Sequence, residues 1–206
     1  HPKLWRKVLE TDGLENLKIN FAHFGGSSQI MEMVNAEIPK DCNYLTEYGL
    51  TRLVKKLKDS ADKKKLKNYY ERDKNLFTIK SNLNEVQRKK LWDLLFKAGE
   101  IDNWSQAIFE LIQDYPNTYT DVSCFRAFDK KGDTSFVNNL ARFKTDFYDK
   151  LDDQYKKRIL YGTDFFLITL SGIEPVNYYK TFKTVFKDDF DLIASTNPQE
   201  FLGRFK

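Results

Sequence analysis

Residues 17–26 predict a short β-strand that ends at a histidine, and they read Leu17-Lys18-Ile19-Asn20-Phe21-Ala22-His23-Phe24-Gly25-Gly26. The two glycines allow the chain to leave the sheet sharply after His23, because glycine tolerates positive φ. Two more strands are predicted downstream, at residues 118–123 and 158–163. Helical patterns lie between the three strands. This alternation is typical of a parallel sheet joined by helical crossovers.

Two fold interpretations remain open at this stage. A closed (β/α)8 barrel needs eight strand–helix units and about 250 residues, whereas this chain has 206 residues and three such strands. The chain is therefore either a small open α/β sheet or a fragment of a barrel. In both cases the C-terminal ends of parallel strands lie at one edge, where catalytic groups of barrel enzymes are found.

Polar residues lie at the three strand ends, namely His23, Ser123 and Asp164. Histidine and aspartate are ordinary ligands of Zn²⁺ and can also transfer protons. A structural role competes with this prediction at each position: His23 could equally be a hydrogen-bonded histidine at the core edge, and Asp164 a helix N-cap. For Asp121 a structural hydrogen bond is the favoured interpretation, and for His1 no role is expected.

Residues 27–102 differ in character from the rest of the chain and predict a mostly helical insertion, either a lid or a surface decoration. They contain 16 Lys/Arg against 12 Asp/Glu, which equals the net charge of +4 of the whole chain. Acidic residues interrupt the lysines, so a solvated helix face is favoured and nucleic acid is not an expected partner. The remaining segments, 1–26 and 103–206, are expected to form one α/β domain.

The composition also bounds the cellular setting. No apolar run approaches the roughly 20 residues that span a bilayer, so no membrane partner is expected. Cys42 and Cys124 are far apart in the sequence and show no metal-like spacing. They are expected to be unpaired thiols, which indicates a cytoplasmic protein. Any native signal before His1 would be lost to view.

Four segments together resemble the amidohydrolase superfamily, in the branch that includes aminocarboxymuconate-semialdehyde decarboxylase. The resemblance implies the last three strand–helix units of a TIM barrel, with a helical insertion after the first strand. It covers residues 1–26 and about 103–206. Similarity to the sixth, seventh and eighth strands and to the closing helix of that family is found, respectively, at residues 18–26, 115–123, 158–165 and 197–203.

The resemblance implies roles for two residues. His23 matches the sixth-strand histidine, which binds metal or orients and deprotonates the attacking water. Asp164 matches the eighth-strand aspartate, which binds metal and accepts the proton of the water. The implied cofactor is a divalent metal, with zinc as the first candidate. The implied substrate is a small carboxylic acid or an amide, which is hydrolysed or decarboxylated.

The sequence departs from the family in ways that limit this implication. The histidines of the family's first and fifth strands have no match here, and residues 165–167 replace the proline that usually follows the aspartate. The first five strands are therefore expected upstream of His1, in a longer protein that we call the parent enzyme, or have been removed. This chain alone is expected to be inactive and to hold no well-ordered zinc.

Two further expectations concern partners. A sheet edge left exposed by the missing strands could pair with a second copy of the chain. The alternative to an enzyme fragment is a non-catalytic binding or scaffolding module, in which the basic insertion contacts an acidic partner through residues 55–74.

Overall fold

The chain folds into two compact units, seen in a computed structural model that describes residues 1–74, 76–123, 125, 135–170, 172 and 174–203. The first unit comprises residues 1–34 and 104–206, and the second comprises residues 35–103. The predicted insertion began at residue 27. The structure instead leaves most of the helix that starts there in the first unit.

The strands and the helices are each numbered in chain order. The strands are β1 (Ile19–Phe21), β2 (Tyr44–Thr46), β3 (Tyr70–Asp73), β4 (Leu76–Ile79), β5 (Thr118–Asp121) and β6 (Ile159–Leu160). The helices are α1 (Trp5–Leu9), α2 (Ser27–Asn35), α3 (Glu47–Lys56), α4 (Ser60–Asn68), α5 (Glu85–Lys97), α6 (Trp104–Asp114), α7 (Ser135–Arg142), α8 (Asp153–Lys156), α9 (Phe165–Leu170), α10 (Pro175–Phe186) and α11 (Asn197–Phe201).

A parallel sheet organises the first unit, with strand order β1-β5-β6. Ile19 is in register with Thr118, and Thr120 with Ile159. The predicted parallel arrangement in sequence order is confirmed, and the unit is a mixed α/β structure. No closed barrel forms among the described residues. Pairing of an edge of this sheet with a second copy stays a prediction.

Aromatic side chains fill the core beside this sheet. The ring of Phe24 is fully buried and lies 6.2 Å from the ring of Phe143 and 5.7 Å from that of Phe147. A second group of stacked rings continues along α10, where Phe182 contacts Phe186. Large buried rings remove much apolar surface from water, so they hold the loop after β1 against the helices.

The loop after β1 is fixed on both sides of Phe24. The Ser105 hydroxyl donates a hydrogen bond of 2.6 Å to the carbonyl oxygen of Phe24. Gly25 has a φ of 81°, and a Cβ there would lie 2.8 Å from the backbone nitrogen of Ser105. Only a residue without a side chain allows this approach of the loop to α6. The loop that carries His23 is therefore held in one place by packing.

The second unit contains a sheet that the sequence did not predict. Strands β2, β4 and β3 form an antiparallel sheet in that order, beside the helices α3, α4 and α5. The prediction of a mostly helical segment missed these strands. Tyr70–Asp73 lies in the lysine-rich stretch and carries charged residues at three of its four positions. Such composition is more typical of a solvated helix than of a strand.

Cys42 is a buried free thiol, and burial raises its pKa to about 11. Cys124 lies outside the described residues. In the part of the chain that the structure describes, no helix has the length and apolar character needed to cross a membrane.

Candidate functional site

The three strand-end residues predicted to share one edge of the sheet are close together in the structure. His23 follows β1 by two residues, Ser123 follows β5 by two, and Asp164 follows β6 by four. The strands are parallel and adjacent, so their C-terminal ends deliver these side chains to one place.

His23 and Asp164 face each other across a short gap. The Nε2 atom of His23 lies 3.6 Å from Oδ2 of Asp164, too far for a hydrogen bond but within range of an ion pair. Their side chains are 38% and 28% exposed, respectively. Water, an ion or a small substrate can therefore reach both side chains from solvent.

The opposite side of the His23 ring meets a buried polar pair. Its Nδ1 atom lies 2.8 Å from the hydroxyl oxygen of Ser123, and the Ser123 hydroxyl donates to Oδ1 of Asp121. Ser123 is 6% exposed and Asp121 is 9% exposed. Nδ1 of the imidazole is thus hydrogen-bonded to buried residues, whereas Nε2 faces the partly exposed carboxylate of Asp164.

Asp121 accepts hydrogen bonds from both neighbouring segments, which confirms the structural role predicted for it. The backbone nitrogens of His23 and Ser123 each donate to its Oδ1 atom over 3.0 Å. The Nδ2 atom of Asn20 donates to its Oδ2 atom over 2.7 Å. A buried carboxylate needs such donors, because an unsatisfied charge is costly away from water. Asp121 consequently ties the ends of β1 and β5 together.

The backbone at both predicted site residues is unusual. His23 has a φ of 61° and Asp164 a φ of 44°, and they are two of the six non-glycine residues with positive φ that the described chain contains. Such conformations cost energy and persist where surrounding contacts enforce them. At His23 those contacts include the bond from its own nitrogen to Asp121 and the burial of the next side chain, Phe24.

The separation of His23 and Asp164 suits two ligands of one ion. Atoms that each lie about 2.0–2.2 Å from a tetrahedral zinc are roughly 3.3–3.6 Å apart. The observed 3.6 Å between Nε2 and Oδ2 falls at the upper end of that interval. Among the described residues, no group of three or more His, Cys, Asp or Glu side chains is arranged to hold a metal. The residues therefore fit half of a zinc site.

Two site residues escaped the sequence analysis. Asn20 contacts Asp121, and its signal was a lone amide within an otherwise apolar strand. Gly162 allows β6 to approach the site closely, since a Cβ there would lie 2.8 Å from Cβ of Ser123 and 3.5 Å from Oδ1 of Asp121. No pattern in the sequence indicates this close approach of Gly162 to Ser123 and Asp121.

Other polar groups near these elements have structural roles. Burial raises the pKa of Tyr161, which follows β6, to about 12, so its phenol stays neutral at ordinary pH. Its ring packs 5.1 Å from that of Phe182. His1, for which no role was expected, accepts a hydrogen bond from the backbone nitrogen of Lys3.

Comparison of this chain with protein-family models, with curated proteins and with solved structures finds no match.

Proposed function

We propose that this chain is the C-terminal part of a metal-dependent hydrolase of the amidohydrolase type and forms the last three strand–helix units of its TIM barrel. The observation that carries the proposal is the 3.6 Å separation of His23 Nε2 and Asp164 Oδ2 at the C-terminal edge of a parallel sheet. The parallel strand order and the place of both residues at the strand ends support the proposal, because the resemblance implies that arrangement for the last three strands of the barrel.

His23 and Asp164 would hold a divalent ion, zinc first, together with ligands from the upstream strands of the parent enzyme. A divalent ion in such a site supplies a lowered pKa, about 7, for a water molecule. Asp164, which is partly exposed, is placed to accept the proton of that water. His23 is held by Ser123 on its other side, so it presents Nε2 in a fixed direction.

The resemblance implies the substrate class, and the chemistry of a bound divalent ion supports it. A divalent ion held by His23 and Asp164 would supply an activated water for attack on an amide carbonyl, or would bind the carboxylate of a small acid that is decarboxylated. We therefore propose a small carboxylic acid or amide as the substrate.

Turnover by the parent enzyme is expected to depend on metal. The measurement is turnover of a panel of small carboxylic acids and amides, before and after chelation, with metal content read in parallel. Chelation should remove activity, and added Zn²⁺ or Mn²⁺ should restore it. This chain by itself should show little or no turnover, because it supplies two of the expected ligands. Turnover that survives complete metal removal would contradict the proposal.

A second candidate is a binding module that uses the second unit. Two grooves there, of about 550 and 410 Å³, are both lined by Lys80, and no Asp or Glu is among the described residues that line them. Arg88 lines the larger groove, and Lys65 and Lys90 line the smaller one. This charge favours an acidic partner. The scaffold interpretation takes first place if the parent enzyme shows no metal-dependent turnover.

A further inference from the structure

We propose that Ser123 and Asp121 are positioning residues that fix the tautomer of His23, with the proton on Nδ1 and the lone pair of Nε2 directed at the gap beside Asp164. The tautomer follows from the hydrogen bonds alone. Its use for holding a metal ion rests on the proposed function.

In the hydrogen bond between Ser123 and Asp121, the serine hydroxyl is the donor. Asp121 receives N–H donors from His23, Ser123 and Asn20, and a carboxylate can only accept hydrogen bonds. The contact between the Ser123 hydroxyl and Asp121 Oδ1 therefore uses the hydroxyl proton of Ser123. A serine hydroxyl has one proton, so Ser123 has none left for His23.

The donor role of Ser123 toward Asp121 determines which His23 nitrogen carries the proton. Ser123 Oγ lies 2.8 Å from His23 Nδ1, and since its proton is already used, it must accept from that nitrogen. Nδ1 consequently carries a proton. A neutral imidazole has one N–H, so Nε2 carries the lone pair. Metal-binding histidines commonly have their tautomer set in this way by the hydrogen bond at the other ring nitrogen.

The lone pair of His23 Nε2 faces the carboxylate of Asp164. Nε2 and the Asp164 carboxylate oxygen are then two acceptors separated by 3.6 Å. Two acceptors that face each other repel unless a cation lies between them or a proton joins the ring. The hydrogen bonds from Asp121 through Ser123 to His23 thus favour a positive charge between Nε2 and Asp164. In the proposed function that charge is the divalent ion.

The same contacts disfavour Ser123 as a nucleophile. Ser123 is 6% exposed, and its hydroxyl donates to Asp121 rather than to the imidazole. An activated serine would donate to its histidine base and would be open to substrate. A Ser–His hydrolase would therefore need a rearrangement of all three side chains.

The test is nitrogen NMR of the full chain labelled with ¹⁵N-histidine, under conditions in which the spectrum shows a neutral imidazole. The chain contains two histidines, so His1→Ala assigns the His23 signals directly. The variant is Ser123→Ala. The matched control is Ser105→Ala, which removes another buried hydroxyl beside the same loop, one that donates to the Phe24 carbonyl oxygen and not to the ring.

We expect the wild type and Ser105→Ala to show a protonated Nδ1 and an unprotonated Nε2. Ser123→Ala should shift His23 toward a mixture of both tautomers and weaken Zn²⁺ binding by about 10-fold or more. A wild-type spectrum with the proton on Nε2, or an unchanged tautomer in Ser123→Ala, would overturn the proposal. A fixed tautomer, together with turnover of the parent enzyme that survives metal removal, would leave the positioning role standing and would instead contradict the metal-dependent function.

Discussion

Asp164→Asn is expected to lower kcat/KM of the parent enzyme by about 10²–10⁴-fold while the fold stays intact. The amide neither neutralises a divalent ion nor accepts the proton of its water. Asp164 is partly exposed and faces His23 Nε2 at 3.6 Å, so its replacement by an isosteric amide disturbs little packing. His23→Asn should have an effect of similar size, because it removes the facing nitrogen.

The measurement is turnover of the acid and amide panel with added Zn²⁺ or Mn²⁺, together with the unfolding midpoint of each variant. Asp146→Asn serves as the control, since Asp146 is a partly exposed carboxylate that pairs with Arg142 on the same helical segment. The control should keep near wild-type turnover. If Asp164→Asn also keeps it, the assigned mechanism is wrong and the binding-module interpretation takes first place.

Asp121→Ala is expected to lower the free energy of unfolding by about 3–4 kcal/mol. Each buried donor left without an acceptor costs about 1–3 kcal/mol, partly relieved by water entry. Two buried donors lose their acceptor here, Ser123 N and Ser123 Oγ, and so do the less buried His23 N and Asn20 Nδ2. The ends of β1 and β5 also lose the side chain that joins them.

Urea denaturation of the wild type and of Asp121→Ala measures this loss in the free energy of unfolding. Asp146→Ala removes a surface carboxylate from the same unit and should change stability by about 0.5 kcal/mol or less. A loss below about 1 kcal/mol in Asp121→Ala would show that the donors find other acceptors. That result would also remove the basis for a fixed Ser123 hydroxyl.

The sequence was sufficient for the parallel sheet and for the place of its polar residues. Alternation of strand and helix patterns predicted the order of the three strands, and the strand-end rule placed His23 and Asp164 at one edge. The strands proved shorter than predicted; the last, β6, has two residues. Periodicity marks apolar segments, whereas strand length depends on pairing partners that are distant in sequence.

The hydrogen-bond chain behind His23 was beyond the reach of sequence patterns. Asp121 and Ser123 are about 100 residues away from the ring that they position. Their relevance appears only when β1 and β5 are aligned. Local capping signals show a related limit: Asn82 and Asn84 each have a capping-box residue three positions later, Glu85 and Gln87, but the box that caps α5 is formed by Asn84 and Gln87. Both patterns satisfy the rule, and tertiary context selects one.

The central claim is that His23 and Asp164 together hold a divalent ion. It is tested most directly by titrating Zn²⁺ into the ¹⁵N-histidine-labelled chain in a His1→Ala background, which removes the other histidine. We predict weak binding that moves the His23 Nε2 resonance far more than Nδ1, with affinity at least about 10-fold lower in Asp164→Asn and unchanged in Asp146→Asn. A Nε2 resonance that does not respond to zinc, or equal affinity in Asp164→Asn and wild type, would contradict the account.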